Sequence, residues 1–216
     1  MYTQIQRRKR RKLNPYTIKF FVVALAAVIV IVVAAVLLFS GGNGGAGTDG
    51  DVQVPEWVTQ EYLTINEFSR PGIPLEKVNG IVVHYIGNPG TTAEQNRSYF
   101  NNLAKTGETS ASSHFIVGLN GEIIQCVPLN EIAYCSNTRN DDTISIECCH
   151  PDESGQFTEE TYQSLVKLVA WLCSEYNLGG EEVIRHYDIT GKECPRYFVE
   201  NEEAWLQFKD DVNQAA

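Results

Sequence analysis

The sequence predicts a mixed α/β domain, with a mixed central β-sheet flanked by helices, preceded by one transmembrane helix. Three observations carry this. Residues 20–39 are all apolar, a run of about 20 that matches the thickness of a bilayer core. After them, short β-branched runs alternate with segments of helical period, the pattern of helices packed on a sheet. One Asn-Gly pair lies between two apolar runs, the strongest short-range sign of a hairpin.

The chain opens on a basic tail, residues 1–19, with Arg7, Arg8, Lys9, Arg10, Arg11, Lys12 and Lys19 and no acid before Asp49. Basic residues on the N-terminal flank alone predict that this end stays in the cytoplasm and that the rest is exported. The apolar run is too long for the core of a cleaved leader, and no small-x-small cleavage site closes it. It is read as a transmembrane helix over 20–40. Residues 41–50, rich in glycine, have the composition of a flexible linker. The folded domain is expected over 51–216, a length usual for one domain. It carries 10 basic against 26 acidic residues, a net charge of about −16, which disfavours nucleic acid and anionic lipid as partners.

Within the domain, residues 80–85 read as a buried strand. Thr91 and Glu94 form a capping box that opens a helix through about Leu103. His114–Gly118 and Glu122–Val127 flank Leu119, Asn120 and Gly121 as a hairpin. Residues 143–149 are another strand. Thr158 caps a helix in which Tyr162, Leu165, Val169, Leu172, Cys173 and Tyr176 share one face, and Asn177 with Gly179 and Gly180 ends it. Residues 183–185 read as a short strand that delivers His186. A last helix follows Asn201, with Trp205 and Phe208 turned inward. Residues 51–76 give no firmer reading than a short helix or loop.

Six cysteines are present: Cys126, Cys135, Cys148, Cys149, Cys173 and Cys194. In an exported domain an even count invites a disulfide reading, with Cys126 and Cys135 the candidate pair across a short loop. Cys148 and Cys149 are strand neighbours, so they point to opposite faces and do not pair. The competing reading is that most are small buried apolar residues.

His84, His186 and Cys194 form a donor set that zinc accepts, and three protein ligands leave the fourth position open, as in catalytic sites. Lys192 places a fixed positive charge two residues before Cys194. Glu147 is an acid carried between Ile146 and Cys148 on an apolar strand, either for catalysis or to pair with an arginine. The three donors do not form a local spacing motif, because His84 is about a hundred residues from His186. A cysteine peptidase using Cys194 with a histidine, and a zinc site that only holds the fold, are the rivals. Thr190, Gly191 and Lys192 lack the upstream glycines of a phosphate loop.

The order Ile81–Tyr85, Ser112–Val117 with Asn120 and Gly121, Ile132–Asn137, Ser145–Glu147, then His186–Asp188 through Lys192, Cys194 and Pro195 resembles the type 2 zinc N-acetylmuramoyl-L-alanine amidases, which share a fold with the peptidoglycan recognition proteins. The resemblance covers about residues 75–208. It implies Zn2+ held by His84, His186 and Cys194, Lys192 stabilising an oxyanion, and Glu147 as general base and acid. It implies peptidoglycan as substrate, cleaved between N-acetylmuramic acid and L-alanine. With the N-terminal features, it places the chain in a bacterial cell membrane as a single-pass protein with an extracytoplasmic catalytic domain, acting as a monomer. The alternative is a non-catalytic peptidoglycan sensor of the same fold, in which the cysteine ligand is typically lost. The chain departs from the family at Ser113, where several members carry a catalytic tyrosine, and at Tyr134 and Cys135, where many have Trp-His. His114 is expected to be structural and His150 a surface or loop residue. Asn137, Arg139 and Asn140 are candidate contacts for the stem peptide.

Overall fold

The computed structural model describes residues 52–216. The basic tail, the transmembrane run over 20–40 and the linker over 41–50 lie outside the described residues. Among the described residues no helix is long and apolar enough to cross a membrane.

Six strands form one sheet: β1 (Thr59–Gln60), β2 (Ile81–Tyr85), β3 (Phe115–Val117), β4 (Ile123–Gln125), β5 (Ile144–Cys148) and β6 (Val183–Arg185), in the order β1-β4-β3-β5-β2-β6. The β3–β4 hairpin is antiparallel and every other pairing is parallel. The helices are α1 (Ala93–Thr106), α2 (Glu159–Tyr176), α3 (His186–Thr190), α4 (Arg196–Glu200) and α5 (Glu202–Ala215). The predicted mixed sheet flanked by helices is therefore present.

Strand alternation divides the interior into two layers. Ile81, Val83, Phe115, Ile144, Ile146 and Cys148 pack with α2 and α5 on one face. Ile116, Ile124, Cys126 and Cys149 pack with Phe100 and Leu103 of α1 on the other. Cys148 and Cys149 thus face opposite ways, as expected. All six cysteines are free thiols, which overturns the Cys126–Cys135 bridge: Cys126 is sealed in the α1 layer, whereas Cys135 is half-buried at a cleft.

Phe208 of α5 is fully buried, stacked at 5.3 Å on Phe198 and 5.4 Å on Trp205. Phe208→Ala leaves a cavity that this rigid aromatic stack cannot close. We expect it to cost about 3–5 kcal/mol of stability, read as a lower urea midpoint.

Local sequence placed most boundaries. Thr158 caps α2 through its hydroxyl, and Asn177 ends it in the left-handed conformation at φ 52°. The capping box of α1 is one residue later than predicted. Thr92 accepts from the Gln95 amide at 3.3 Å and donates its own to Gln95 Oε1 at 2.9 Å. The Thr91 hydroxyl is instead spent on the Asn88 carbonyl, and α1 runs to Thr106, three residues past the predicted end. The unplaced segment before residue 76 supplies β1 and buries Val58 and Leu63.

Candidate active site

His84 and Glu147 are register partners on adjacent parallel strands β2 and β5. Both stand one residue from the carboxyl end of their strand, on the α1 face. His186 follows β6 directly. The site thus forms where the parallel strands end, the usual location of a crevice in an α/β sheet. A cleft of about 250 Å³ opens there, lined by His84, Glu147, His186, Lys192, Cys194 and Cys135, with Phe100 and Tyr134 among its apolar walls.

The segment from His186 to Cys194 contains a single helical turn, α3. Gly191 closes it at φ 76°, a left-handed conformation that favours glycine. The Tyr187 amide then donates to the Cys194 carbonyl at 2.9 Å, which folds the thiol back beside His186. The start of α3 is held by Arg185, which is bonded to Asp188 at 2.9 Å, to Glu202 at 2.6 Å and to the Phe198 carbonyl at 3.0 Å.

The donor atoms of His84, His186 and Cys194 all lie within 4.8 Å of one another, and all three residues are buried. Cys194 Sγ is 3.8 Å from His84 Nδ1, close to the separation of about 3.6 Å that a tetrahedral zinc imposes on a sulfur and a nitrogen ligand. The far nitrogen of each imidazole is occupied. His84 Nε2 faces Ser136 Oγ at 3.2 Å, and His186 Nε2 faces Asn137 Oδ1 at 2.7 Å. Both partners fix ring orientation and leave Nδ1 for a metal. Burial, then the charges of His186 and Lys192, hold His84 well below its usual pKa. Burial, then Lys192, lowers His186 too. Both rings stay neutral at pH 7, the form that ligates. Burial pushes the Cys194 thiol up to about 12, so a metal must displace its proton. The donor set fits zinc.

Among the described residues no arginine pairs with Glu147, whose charged neighbour is Lys192, so the structural ion pair with an arginine is not formed there. Its Oε1 accepts from Cys135 Sγ at 3.5 Å, and its Oε2 is buried without a hydrogen-bond partner among the described residues. Burial raises its pKa to about 8, against smaller lowering by Cys135 and Lys192. The folded chain therefore holds this proton more tightly than the unfolded chain. The stabilisation is full below the ordinary value of 4.5 and is lost as pH rises through about 8. In the metal-free chain at pH 8, Glu147→Gln should gain on the order of 2–4 kcal/mol. The gain should vanish near pH 4, as thermal melting in chelator would read.

The other candidates sort clearly. His114 is structural: its ring nitrogens meet Ser145 Oγ at 3.0 Å and the Glu131 carbonyl at 2.9 Å. His150 is not a surface residue. It is 2% exposed, bonded to the Ile86 and Asp152 carbonyls. Ser113 is buried with its hydroxyl on the Phe115 carbonyl, facing away from any tyrosine-like role. Arg139 is paired with Asp142 at 2.6 Å, and Asn140 caps the Cys135 and Ser136 amides. Asn137, expected as a peptide contact, is exposed and supports His186 through its Oδ1. It sits at φ 53° at the start of a 3-10 turn, a conformation that asparagine tolerates. The roles of Ser136 and Asn137 escaped sequence reasoning, whose only signal was their place in the segment Ile132–Asn137.

Residues 74–197 match the family model described as N-acetylmuramoyl-L-alanine amidase. The chain belongs to this family. It is 34% identical over 169 residues to the N-acetylmuramoyl-L-alanine amidase CwlL of Bacillus licheniformis, covering 72% of this chain and 46% of that protein. It is 32% identical over 175 residues to BlyA of Bacillus subtilis strain 168, covering 71% and 46%. The chain thus spans about half the length of the curated relatives it matches. Among solved structures, the catalytic domain of XlyA superposes with a TM-score of 0.61 at 28% identity, covering 72% of this amidase-family chain and 98% of that one.

Proposed function

We propose that this chain is a zinc-dependent amidase that hydrolyses the bond between N-acetylmuramic acid and L-alanine in peptidoglycan. The observation that carries the reading is the convergence of His84, His186 and Cys194 in one cleft with Glu147 and Lys192, in a chain of the amidase family. When bound by the three ligands, zinc supplies a Lewis acid for the scissile carbonyl and lowers the pKa of water toward neutrality.

The chain's own residues do the rest. Ser136 and Asn137 hold the two imidazoles in orientation. Glu147, with one free carboxylate oxygen in a dry pocket, takes a proton from the attacking water. It returns that proton to the departing L-alanine nitrogen. The amide becomes a lactyl carboxylic acid and a free amine, and the proton of the acid then passes to the amine. The Lys192 ammonium stabilises the negative charge that develops on the carbonyl oxygen. Lys192→Ala should lower kcat by about 10²–10³-fold with zinc content unchanged.

The apolar run over 20–39 with its one-sided basic flank supports a single-pass anchor in the bacterial membrane, with the domain outside and tethered by residues 41–50. The enzyme would act as a monomer on wall close to the membrane. The full chain in detergent micelles, incubated with purified peptidoglycan, should release stem peptides with a free L-alanine amino terminus. Binding to peptidoglycan without release of peptides would make it a sensor.

A further inference from the structure

A second donor set lies in the same cleft. His84, Cys135 and Glu147 also bring their ligand atoms within 4.8 Å of one another. Cys135 Sγ is 3.5 Å from Glu147 Oε1, and Glu147 Oε2 is buried and unpartnered. Cys135 lines the cleft and is half-buried, so a small ion can reach it. The mixture of sulfur, nitrogen and carboxylate oxygen suits zinc or cadmium and disfavours magnesium or calcium.

We propose that Cys135 and Glu147, sharing His84 with the first ligand set, bind a second soft divalent cation that inhibits the enzyme. This rests on the proposed zinc ligands and on Glu147 as the base. His84 has two ring nitrogens to divide. Nδ1 is 3.8 Å from Cys194, and Nε2 is turned to Ser136, the neighbour of Cys135. The first ion takes Nδ1. The second is carried by the Cys135 sulfur and the Glu147 carboxylate and meets His84 on its Nε2 side, where it must displace the Ser136 hydrogen bond. Binding releases the Cys135 thiol proton and the His84 Nε2 proton to solvent, together with the Glu147 proton where one is held, so that His84 bridges the two ions as an imidazolate. The second site is therefore weaker than the first. Its occupant takes the carboxylate that proton transfer needs. A cation in excess thus inhibits by consuming the base, while His84 Nδ1, His186 and Cys194 keep the first ion.

The test is equilibrium dialysis of the full chain against rising free Zn2+ at fixed salt. Zinc per chain is measured by atomic absorption and the hydrolysis rate is followed on the same samples. The native chain should take one equivalent at low free zinc and a second at higher concentration, with inhibition following the second. Cys135→Ser should retain the first equivalent. Its second equivalent and its inhibition should shift to concentrations at least about tenfold higher, since removing a ligand costs no less than removing a ligand's supporting partner. Glu147→Gln should weaken the second equivalent in the same way, which guards against a Cys135→Ser chain that fails to fold. Cations scattered on the acidic surface would be indifferent to both substitutions. A native chain that stops at one equivalent, or a second equivalent unchanged in both variants, overturns the proposal. Loss of the low-concentration equivalent from the native chain itself would instead overturn the His84–His186–Cys194 assignment.

Discussion

Cys194→Ser should give a folded chain that neither retains zinc nor cleaves peptidoglycan. Cys194 is buried against His84 and is the one sulfur of the three-donor set. A serine hydroxyl is a poor substitute, because zinc favours thiolate and its neutral alcohol counterpart brings no charge. Several kcal/mol of transition-state stabilisation depend on the metal, so the rate should fall about 10³-fold or more. Folding should survive, since serine is close in volume and Cys194 belongs to neither hydrophobic cluster of the core. Zinc content and far-UV circular dichroism on one sample check both halves. The same chemistry makes metal loading pH-dependent. With the thiol proton held up to about 12, each zinc bound displaces a proton, and affinity rises with pH.

Glu147→Gln should move activity and stability in opposite directions. General acid–base catalysis contributes about 10²–10⁴-fold, and kcat should fall within that range with zinc still bound. The metal-free protein should meanwhile become more stable at pH 8, because the buried carboxyl with its pKa of about 8 no longer has to be desolvated. A glutamate kept for structure would behave the other way, and its loss would cost stability and spare the rate. Placing an acid between Ile146 and Cys148 on a central strand is thus a local conflict of the kind that a catalytic role would explain.

How far the sequence could be read follows from what kind of signal each feature leaves. The Asn120-Gly121 turn, the Thr158 cap and the Asn177 terminus are local, and each was legible because a few adjacent residues decide it. The two-faced character of Cys148 and Cys149 followed from strand period alone. The α1 cap slipped by one residue because two threonines stand side by side and glutamine serves at the third helical position as well as glutamate. The helical turn α3 escaped notice because five residues give no period to detect. His150 lies in a loop, as expected, but is buried and not at the surface, and one of its two carbonyl partners, Ile86, is 64 residues away. The candidate zinc ligands came partly from residue chemistry and mainly from family resemblance, since nothing local joins His84 to Cys194. Ser136 and Asn137 were invisible as supports for the imidazoles, because only the fold brings their segment under β2 and α3. The contact between Cys135 and Glu147 is likewise a product of tertiary structure.

The most direct measurement strips zinc from the full chain with a chelator and then restores it, following peptidoglycan digestion by mass spectrometry at each stage. The account predicts release of stem peptides bearing an L-alanine amino terminus from the loaded enzyme. It predicts none after stripping, and recovery on adding one equivalent of zinc. Release that continues undiminished in the stripped enzyme, at a matched rate and with the same products, would contradict it.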